Sequence, residues 1–392
     1  MSHQFARRMS TVHRSFIREI LKVTADPEII SFAGGLPNPE LFPVPAMDVA
    51  AHEVFENIGA SSLQYSTTEG DAGLRAIIAE RYKKRGLTVD PDTILVTTGS
   101  QQILDLGGKV FLDRGDKVVI ERPGYLGAIQ AFSLFEPEFV AVSLDDDGPN
   151  LEELEAAFKD GAKCFYAVPN FQNPSGVSYS LEKRKAVAAL TDRYGVLFVE
   201  DDPYGELRFL GKDLPSVFSF CEKKGLLCGS FSKIAAPGFR IGWVVAPEKD
   251  IYDKLVVAKQ AADLHTSTVS QAIMRRYLET NDIEAHVALI RERYGRQREC
   301  MVEMIDRYFP ESVTITKPEG GMFLWVTMPG NCSSMELLDM AIKDQVAFVP
   351  GRPFYVDGSG ENTLRLNFSN SDEARIEEGI KRLGKSIQSF LK

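Results

Sequence analysis

Between residues 94 and 246 the chain alternates short β-rich runs with helical stretches, and this alternation constrains the fold more than any other feature. The β-rich runs fall at 94–98, 117–121, 139–142, 163–168, 196–200, 226–230 and 241–246, with helical stretches at 100–112, 151–158 and 181–194. Strands that alternate with helices in this way form a mostly parallel sheet covered on both faces. Ligands of such sheets sit outside the carboxyl ends of the strands. The loops that follow these runs are therefore where chemistry is expected.

The flanking regions read differently. Residues 29–32 and the turn-rich 34–45 (GGLPNPELFPVP) precede a helix over 46–58, and the prolines after the glycine pair forbid regular structure there. Residues 63–73 (LQYSTTEGDAG) read as a polar loop, followed by a helix over 74–85. Beyond Pro247 come helical stretches at 250–264, 268–279 and 282–308. Strands at 313–316, 322–327, 346–349 and 363–367, with helices at 334–343 and 372–391, then read as a smaller α+β lobe. A chain of 392 residues is long enough for two lobes. No repeat or low-complexity segment interrupts it.

Composition narrows the class. With 44% hydrophobic and 26% charged residues the chain is of the soluble globular type, and no apolar run approaches the ~20 residues of a membrane span. A net charge of −10 argues against a nucleic-acid or anionic-membrane partner. The 5 cysteines are odd in number and lack CxxC spacing, which suits a reducing, cytoplasmic compartment. The 5 histidines show no metal-ligand spacing, so no metal is expected. Residues 1–18 carry Arg7, Arg8, Arg14 and Arg18 with serines and no acid, as mitochondrial transit peptides do. Phe16, Ile17, Ile20 and Leu21 nevertheless fall at helical spacing, so a helix of the mature protein is expected there.

Residues 229–243 (GSFSKIAAPGFRIGW) place Lys233 near Ser230, Ser232 and Arg240, directly after an apolar run. Such a lysine is either an ordinary surface lysine or an amine that forms a Schiff base with an aldehyde cofactor whose phosphate the hydroxyls and guanidinium hold. The packing of Ser, Ser, Lys and Arg between apolar strands favours the second. Ser100 and Gln101, in TTGSQQ at 97–102, open a helix after a strand, where free N–H groups favour an anion; an ordinary serine N-cap is the simpler alternative. No GxGxxG or GxxxxGK[ST] pattern is present, so a dinucleotide or ATP site has no support. NPSG at 173–176 is a turn signal.

In EDDPY at 200–204, three acids end a buried strand. They are solvated loop acids, or one of them pairs with a protonated ring nitrogen. The D-x-x-Y spacing selects Asp201 over Asp202, with the Tyr204 hydroxyl beside the ring. Tyr125 is either a stacking face or core packing. Arg365, within the apolar strand LRLNF at 364–368, demands an anionic partner: a bound carboxylate, or a structural salt bridge to another helix.

Taken in order along essentially the whole chain, these residues resemble the fold-type I pyridoxal-phosphate (PLP) aminotransferases of class I/II. SFAGGLPNPELFP at 31–43, EDDPYGELRF at 200–209 and the Lys233 stretch are most similar to the subgroup of 2-aminoadipate and kynurenine aminotransferases. The resemblance implies an α/β fold, with a large domain built on a mostly parallel seven-stranded sheet and a smaller α+β domain. It implies a division into an N-terminal arm and helix (1–45) joining the small domain, a large PLP-binding domain (46–280) and a small C-terminal domain (281–392). Lys233 would bond the cofactor aldehyde and, once displaced, shuttle the proton between the substrate Cα and the cofactor's C4′. Asp201 would keep the ring nitrogen protonated; Asn173 and Tyr204 would bond the phenolic oxygen, and Tyr125 would stack on the ring. Ser100, Gln101, Ser230, Ser232 and Arg240 would hold the phosphate. Tyr65 would reach a neighbouring subunit's phosphate in a homodimer with shared active sites. Arg365, Asn173 and the backbone around Gly35 would bind the substrate α-carboxylate, and Arg18 would meet a second carboxylate.

The implied reaction moves an amino group between an L-amino acid (2-aminoadipate, glutamate, aromatic or branched-chain) and a 2-oxo acid such as 2-oxoglutarate. Two alternatives share parts of the pattern. One is a PLP lyase or decarboxylase reaction on the same fold, since the cofactor half of the site is common to both. The other is a non-catalytic sensor domain of the kind fused to winged-helix regulators of the GntR type. The aminotransferase pattern begins by about residue 5 and the charge is acidic, which ranks that reading below the enzyme.

Overall fold

The computed structural model describes residues 5–10, 26, 28–222, 225–330 and 332–392. A two-residue strand, β1 (Ile30–Ser31), precedes the main sheet. The main sheet is built from β2 (Ile94–Thr98), β3 (Lys117–Arg122), β4 (Glu138–Asp145), β5 (Gly148–Pro149), β6 (Cys164–Ala167), β7 (Leu197–Asp201), β8 (Leu226–Ser230) and β9 (Ile241–Val245), in the order β2-β9-β8-β7-β6-β3-β4-β5. β4, β3, β6, β7 and β8 run parallel, while β9 is antiparallel to both β8 and β2. The expected runs are all strands, and the sheet is α/β and mixed, as expected of this fold. It has eight strands rather than seven. The extra one, β5, folds back antiparallel on β4 at the polar tip after Asp145, an edge position where Pro149 forfeits no central ladder bond.

Both faces of the sheet are covered, and the strand residues sort by alternation. Val118, Ile120, Tyr166 and Val199 join one apolar cluster, while Val119, Phe165, Ala167 and Phe198 join the other. That is the two-sided burial expected when crossover helices flank a parallel sheet. Among the helices, α1 (Val44–Ser62), α2 (Ala72–Lys84), α3 (Ser100–Phe111), α4 (Leu126–Ser133), α5 (Leu151–Lys159) and α6 (Leu181–Tyr194) accompany the first seven strands. α7 (Lys249–Ala262), α8 (Thr268–Thr280) and the 26-residue α9 (Ile283–Tyr308) follow β9. Sequence reasoning passed over α4. Its N-cap, Tyr125, makes no side-chain capping bond, and the run LGAIQAFS is apolar almost throughout, so neither a start signal nor an amphipathic stripe marks it.

A four-stranded antiparallel sheet, β10 (Thr314–Ile315), β11 (Phe323–Thr327), β13 (Val349–Pro350) and β14 (Thr363–Asn367), lies toward the C-terminus in the order β10-β11-β14-β13. Helices α10 (Ser334–Lys343) and α11 (Glu373–Phe390) pack with it, α11 running against α9. β12 (Val346–Ala347) pairs in parallel with β1, tying the segment after residue 28 to the C-terminal region. Of the helix expected over residues 1–18, the described part is one 3-10 turn, Arg7–Ser10; the rest, Arg18 included, lies outside the described residues.

One close approach fixes the start of α3 against the sheet. Gly242, on β9, lies against the turn after β2: a Cβ there would stand 2.6 Å from Gly99 C and Ser100 N. Both are backbone atoms that cannot rotate away. Gly242→Ala is therefore expected to cost about 1–3 kcal/mol of stability and to lower the melting temperature measured by calorimetry. A variant that melts with the wild type would show that the turn is free to shift.

Candidate active site

The carboxyl ends of the parallel strands open onto a cavity of about 530 Å3. β7 delivers Asp201, β8 delivers Ser230, and the segment after β8 delivers Ser232 and Lys233. The turns after β2 and β3 bring Ser100, Gln101 and Tyr125, and the loop after β6 brings Asn173. Gly35 comes from the N-terminal segment and Arg365 from β14. Tyr204 and Arg240 complete the set. Tyr65 is not at this cavity: it is 79% exposed and meets His265 edge-on with ring centroids 5.8 Å apart.

One end of the cavity is built to receive an anion. The N-cap of α3 is Gly99, at φ 74°, and it makes no side-chain capping bond, so Ser100 is the first helical residue rather than the cap. The Gln102 N–H bonds the Gly99 carbonyl at 3.2 Å, which leaves the Ser100 and Gln101 N–H groups at the first turn of α3 for a ligand. Gly99 is also where a side chain would collide with the Arg240 guanidinium. Arg240 itself adopts the left-handed conformation, φ 55°, which turns it back toward the Thr98 carbonyl at 3.5 Å. The Ser230 hydroxyl donates to Ser232 Oγ at 2.8 Å, adding two oxygens to the same rim. Gln101 Nε2 is anchored on the Gly127 carbonyl at 2.8 Å.

Asp201 is the carboxylate of the site. It is 2% exposed; Oδ2 accepts from the Tyr166 hydroxyl at 2.7 Å, and Oδ1 has no partner among the described residues. Burial, reinforced by the neighbouring Asp202 charge, raises its pKa to about 6 despite the Tyr166 bond. Asp202 does not line the cavity and is engaged by Asn170 Nδ2 at 2.8 Å and Arg85 Nη2 at 3.3 Å. Glu200 accepts from the Phe218 N–H at 2.7 Å and is also turned away. A buried carboxylate oxygen without a donor is costly, and a bound N–H would satisfy it.

Lys233 is the amine. Its Nζ donates to the Gly35 carbonyl at 3.1 Å, and burial together with the positive charges of Arg365 and Arg240 brings its pKa down to about 8. Such an amine is partly neutral near pH 8 and is a competent nucleophile or base.

Arg365 is 1% exposed and forms no ion pair among the described residues, so the structural salt bridge considered from sequence is not there. Nη1 donates to Asn173 Oδ1 at 2.8 Å and Nη2 to the Ala33 carbonyl at 2.9 Å, while Nε has no partner among the described residues. The guanidinium lies 4.3 Å from the Phe323 ring centroid. Burial lowers its pKa to about 10, so it stays charged at neutral pH. Asn173 turns its amide toward the Tyr204 hydroxyl at 3.3 Å. Its loop is braced from below by Gln172, whose Oε1 accepts from Ser175 N and whose Nε2 donates to the buried Glu121 and to the Pro123 carbonyl.

Sequence reasoning missed two parts of this site. Tyr166 reads as core, yet a tyrosine in a buried strand needs a partner for its hydroxyl, and that requirement is the available signal. Leu126, Gly127 and Gln130 line the cavity from α4, whose helix had not been recognised.

The family model for "Aminotransferase class I and II" matches residues 31–383. The aromatic-amino-acid aminotransferase 1 of Thermococcus litoralis is 42% identical over 99% of this chain and 95% of its own length. The solved kynurenine aminotransferase of Pyrococcus horikoshii, in complex with PMP, is 43% identical with a TM-score of 0.95, covering 99% of this chain and 98% of that one. The alpha-aminoadipate aminotransferase LysN of Thermus thermophilus, complexed with N-(5'-phosphopyridoxyl)-L-leucine, is 41% identical with a TM-score of 0.92, at the same coverage.

The electrostatics of the cavity have a direct readout. Competitive labelling of Lys233 by an amine-reactive reagent, in cofactor-free protein, is expected to titrate near pH 8 rather than near ~10.4 as a free lysine does. Arg365→Met removes a like charge and should move the midpoint upward. An unchanged midpoint would leave burial alone as the cause.

Proposed function

The chain belongs to the class I and II aminotransferases, and on that premise we propose how its cavity serves PLP-dependent amino-group transfer between an amino acid and a 2-oxo acid. The observation that carries the assignment is one cavity holding an amine of lowered pKa, a buried carboxylate oxygen without a donor and a guanidinium without a counter-charge among the described residues. These residues fit PLP. Ser100, Gln101, Ser230, Ser232 and Arg240 would hold its phosphate, Asp201 would meet the ring nitrogen, Asn173 and Tyr204 would bond the phenolic oxygen, and Tyr125 would offer a stacking face. When bound, PLP supplies an electron sink for the substrate Cα.

The chain's own residues do the rest. Arg365 clamps the substrate α-carboxylate as a planar fork, with Asn173 and the backbone at Gly35 fixing its orientation. Asp201, ionised above about 6, would supply the negative charge that keeps a ring nitrogen protonated. Lys233 Nζ, neutral once displaced by substrate, takes the proton from Cα. The relatives named above are aminotransferases along the chain's full length, which favours this reaction over lyase or decarboxylase chemistry.

For the substrate side chain we read a broad specificity: 2-aminoadipate, glutamate, aromatic or branched-chain donors, with 2-oxoglutarate as acceptor. Leu36, Leu126 and Pro237 give the cavity an apolar wall. Among its described lining residues the cations are Lys233, Arg240 and Arg365, all with other roles. A second carboxylate therefore has to be met by a residue from elsewhere, and Arg18 is the candidate. A homodimer with shared sites is supported by exposed apolar side chains along α1 and just after it: Val44, Val49, Phe55, Ile58 and Leu63, with Tyr65 beyond them. In that reading Tyr65 serves the neighbour's phosphate site. Residues 46–280 form the cofactor domain, and 1–45 join 281–392, a division supported by the β1–β12 pairing. Free cysteines and the net charge of −10 support a cytoplasmic protein without nucleic-acid partners; no described helix is long and apolar enough to cross a membrane.

The test is spectroscopic. Purified protein loaded with PLP should show a visible band of lysine-bound cofactor, replaced by a pyridoxamine-type band when an amino-acid donor is added alone. Lys233→Ala should lack the first band. Wild-type protein with no such band after PLP addition would overturn the assignment. Arg18→Ala should raise KM for 2-aminoadipate and glutamate by about tenfold, the scale of one charge-assisted contact, with leucine and phenylalanine little changed; equal loss on all four donors would remove Arg18 from specificity.

A further inference from the structure

Lys259 lies in the last turn of α7, on a helix whose other lysines face solvent, yet it is fully buried. Its Nζ donates to both carboxylate oxygens of Asp263 at 2.8 and 3.0 Å, to Thr266 Oγ1 at 3.1 Å and to Gln102 Oε1 at 2.8 Å. Two of these acceptors reach the turn between β2 and α3. Gln102 Oε1 also accepts from the Thr98 N–H at 2.8 Å, and Asp263 Oδ2 accepts from the Thr98 hydroxyl at 2.8 Å. Thr98 in turn offers its carbonyl to Arg240. Lys259 thus stands behind the anion-receiving turn and holds it at both ends, Gln102 directly and Thr98 through Gln102 and Asp263, with Gly99, Ser100 and Gln101 between.

We propose that Lys259, paired with Asp263, is a positioning residue for the phosphate group of the cofactor: it sets the turn 98–102 so that the N–H groups of α3 and the Arg240 guanidinium converge on one anion. The inference rests on the reading of that turn as the phosphate site. The charge balance adds to the geometry. Removing the ammonium leaves Asp263 as an uncompensated, partly buried carboxylate bonded to Thr98, next to where a dianionic phosphate must sit. Removing the carboxylate leaves Lys259 without this ionic partner and loosens Thr98. Removing the ammonium thus weakens an anion at this turn through both charge and geometry, whereas removing the carboxylate acts through the lost Thr98 anchor and against the pull of an unpaired ammonium; neither change touches Asp201, Lys233 or Arg365.

Pyridoxal, which lacks the phosphate, separates this role from general destabilisation. Cofactor-free full-length protein is titrated with PLP and with pyridoxal, following the absorbance of the lysine-bound aldehyde, in wild type, Lys259→Met and Asp263→Asn. The expected result is a dissociation constant for PLP raised about tenfold or more in Lys259→Met and by a smaller factor, about threefold, in Asp263→Asn, with that for pyridoxal changed less than about twofold in both. Unchanged PLP affinity, or equal weakening of both ligands, overturns the proposal. Should Lys259→Met fail to fold, Asp263→Asn alone decides it. Wild-type protein that binds pyridoxal as tightly as PLP would overturn the phosphate-site reading itself, and the positioning role with it.

Discussion

A buried guanidinium has five N–H groups to satisfy and a charge to balance, and Arg365 meets part of that demand by drawing three remote parts of the chain together while its charge and its Nε–H are left for a ligand. Its donors go to Ala33 in the N-terminal segment and to Asn173 in the loop after β6, while its own backbone is paired into β14. Neighbouring bonds repeat the pattern: Asn367 donates to the Gly34 carbonyl, and Ser369 Oγ to the Leu36 carbonyl at 3.2 Å. The irregular segment around residues 33–36, which its prolines and glycines keep from joining a sheet, is therefore held in place by C-terminal side chains. That segment supplies the Gly35 carbonyl that receives the Lys233 amine. Lose the guanidinium, and the wall of the cavity nearest the lysine loses its anchor.

What was legible in the sequence follows from how local each signal is. The central strands of the main sheet are short apolar runs buried on both faces, so every expected run is a strand, and the chemistry-bearing residues gather at their carboxyl ends as the topology requires. Spacing favours Asp201 over Asp202, and in the fold Asp202 is occupied by Arg85 and Asn170 while Asp201 faces the cavity. The illegible parts depend on long-range contacts. Lys259 sits four residues before Asp263 in a helix with charged neighbours, where an exposed i,i+4 pair is the ordinary reading. Only the docking of α7 against the turn after β2 buries it. Helix α4 carries neither a cap nor a polar face because protein, rather than solvent, surrounds it on most sides.

The N-terminal portion shows the other limit. Arginines without acids give residues 1–18 the look of a processed segment, while Phe16, Ile17, Ile20 and Leu21 at helical spacing favour a helix of the mature protein. The described residues 7–10 make a 3-10 turn, and Arg7 reaches Glu136 at 2.9 Å, an exposed ion pair of small energetic weight. The pattern records an apolar face and not what that face meets, so it carries the helix but not its docking site.

The charges in the cavity are held at a cost that the fold bears in the absence of ligand. Asp201 has a folded pKa raised from 3.8 to about 6, so its burial disfavours the folded state fully above about 6 and not at all below its unfolded value. Lys233 has a folded pKa lowered from 10.5 to about 8, so its penalty is full below about 8 and vanishes above its unfolded value. Each shift corresponds to about 3 kcal/mol. The two penalties overlap in the window between about 6 and about 8, where both groups are ionised and neither has a counter-charge in contact among the described residues. A ligand that brings a ring N–H to Asp201, an anion to Arg240 and an aldehyde to Lys233 removes all of these penalties at once. The site is therefore strained toward its cofactor. The same burial that makes the empty cavity expensive is what makes Lys233 a neutral base and Asp201 a firm partner when the cavity is filled.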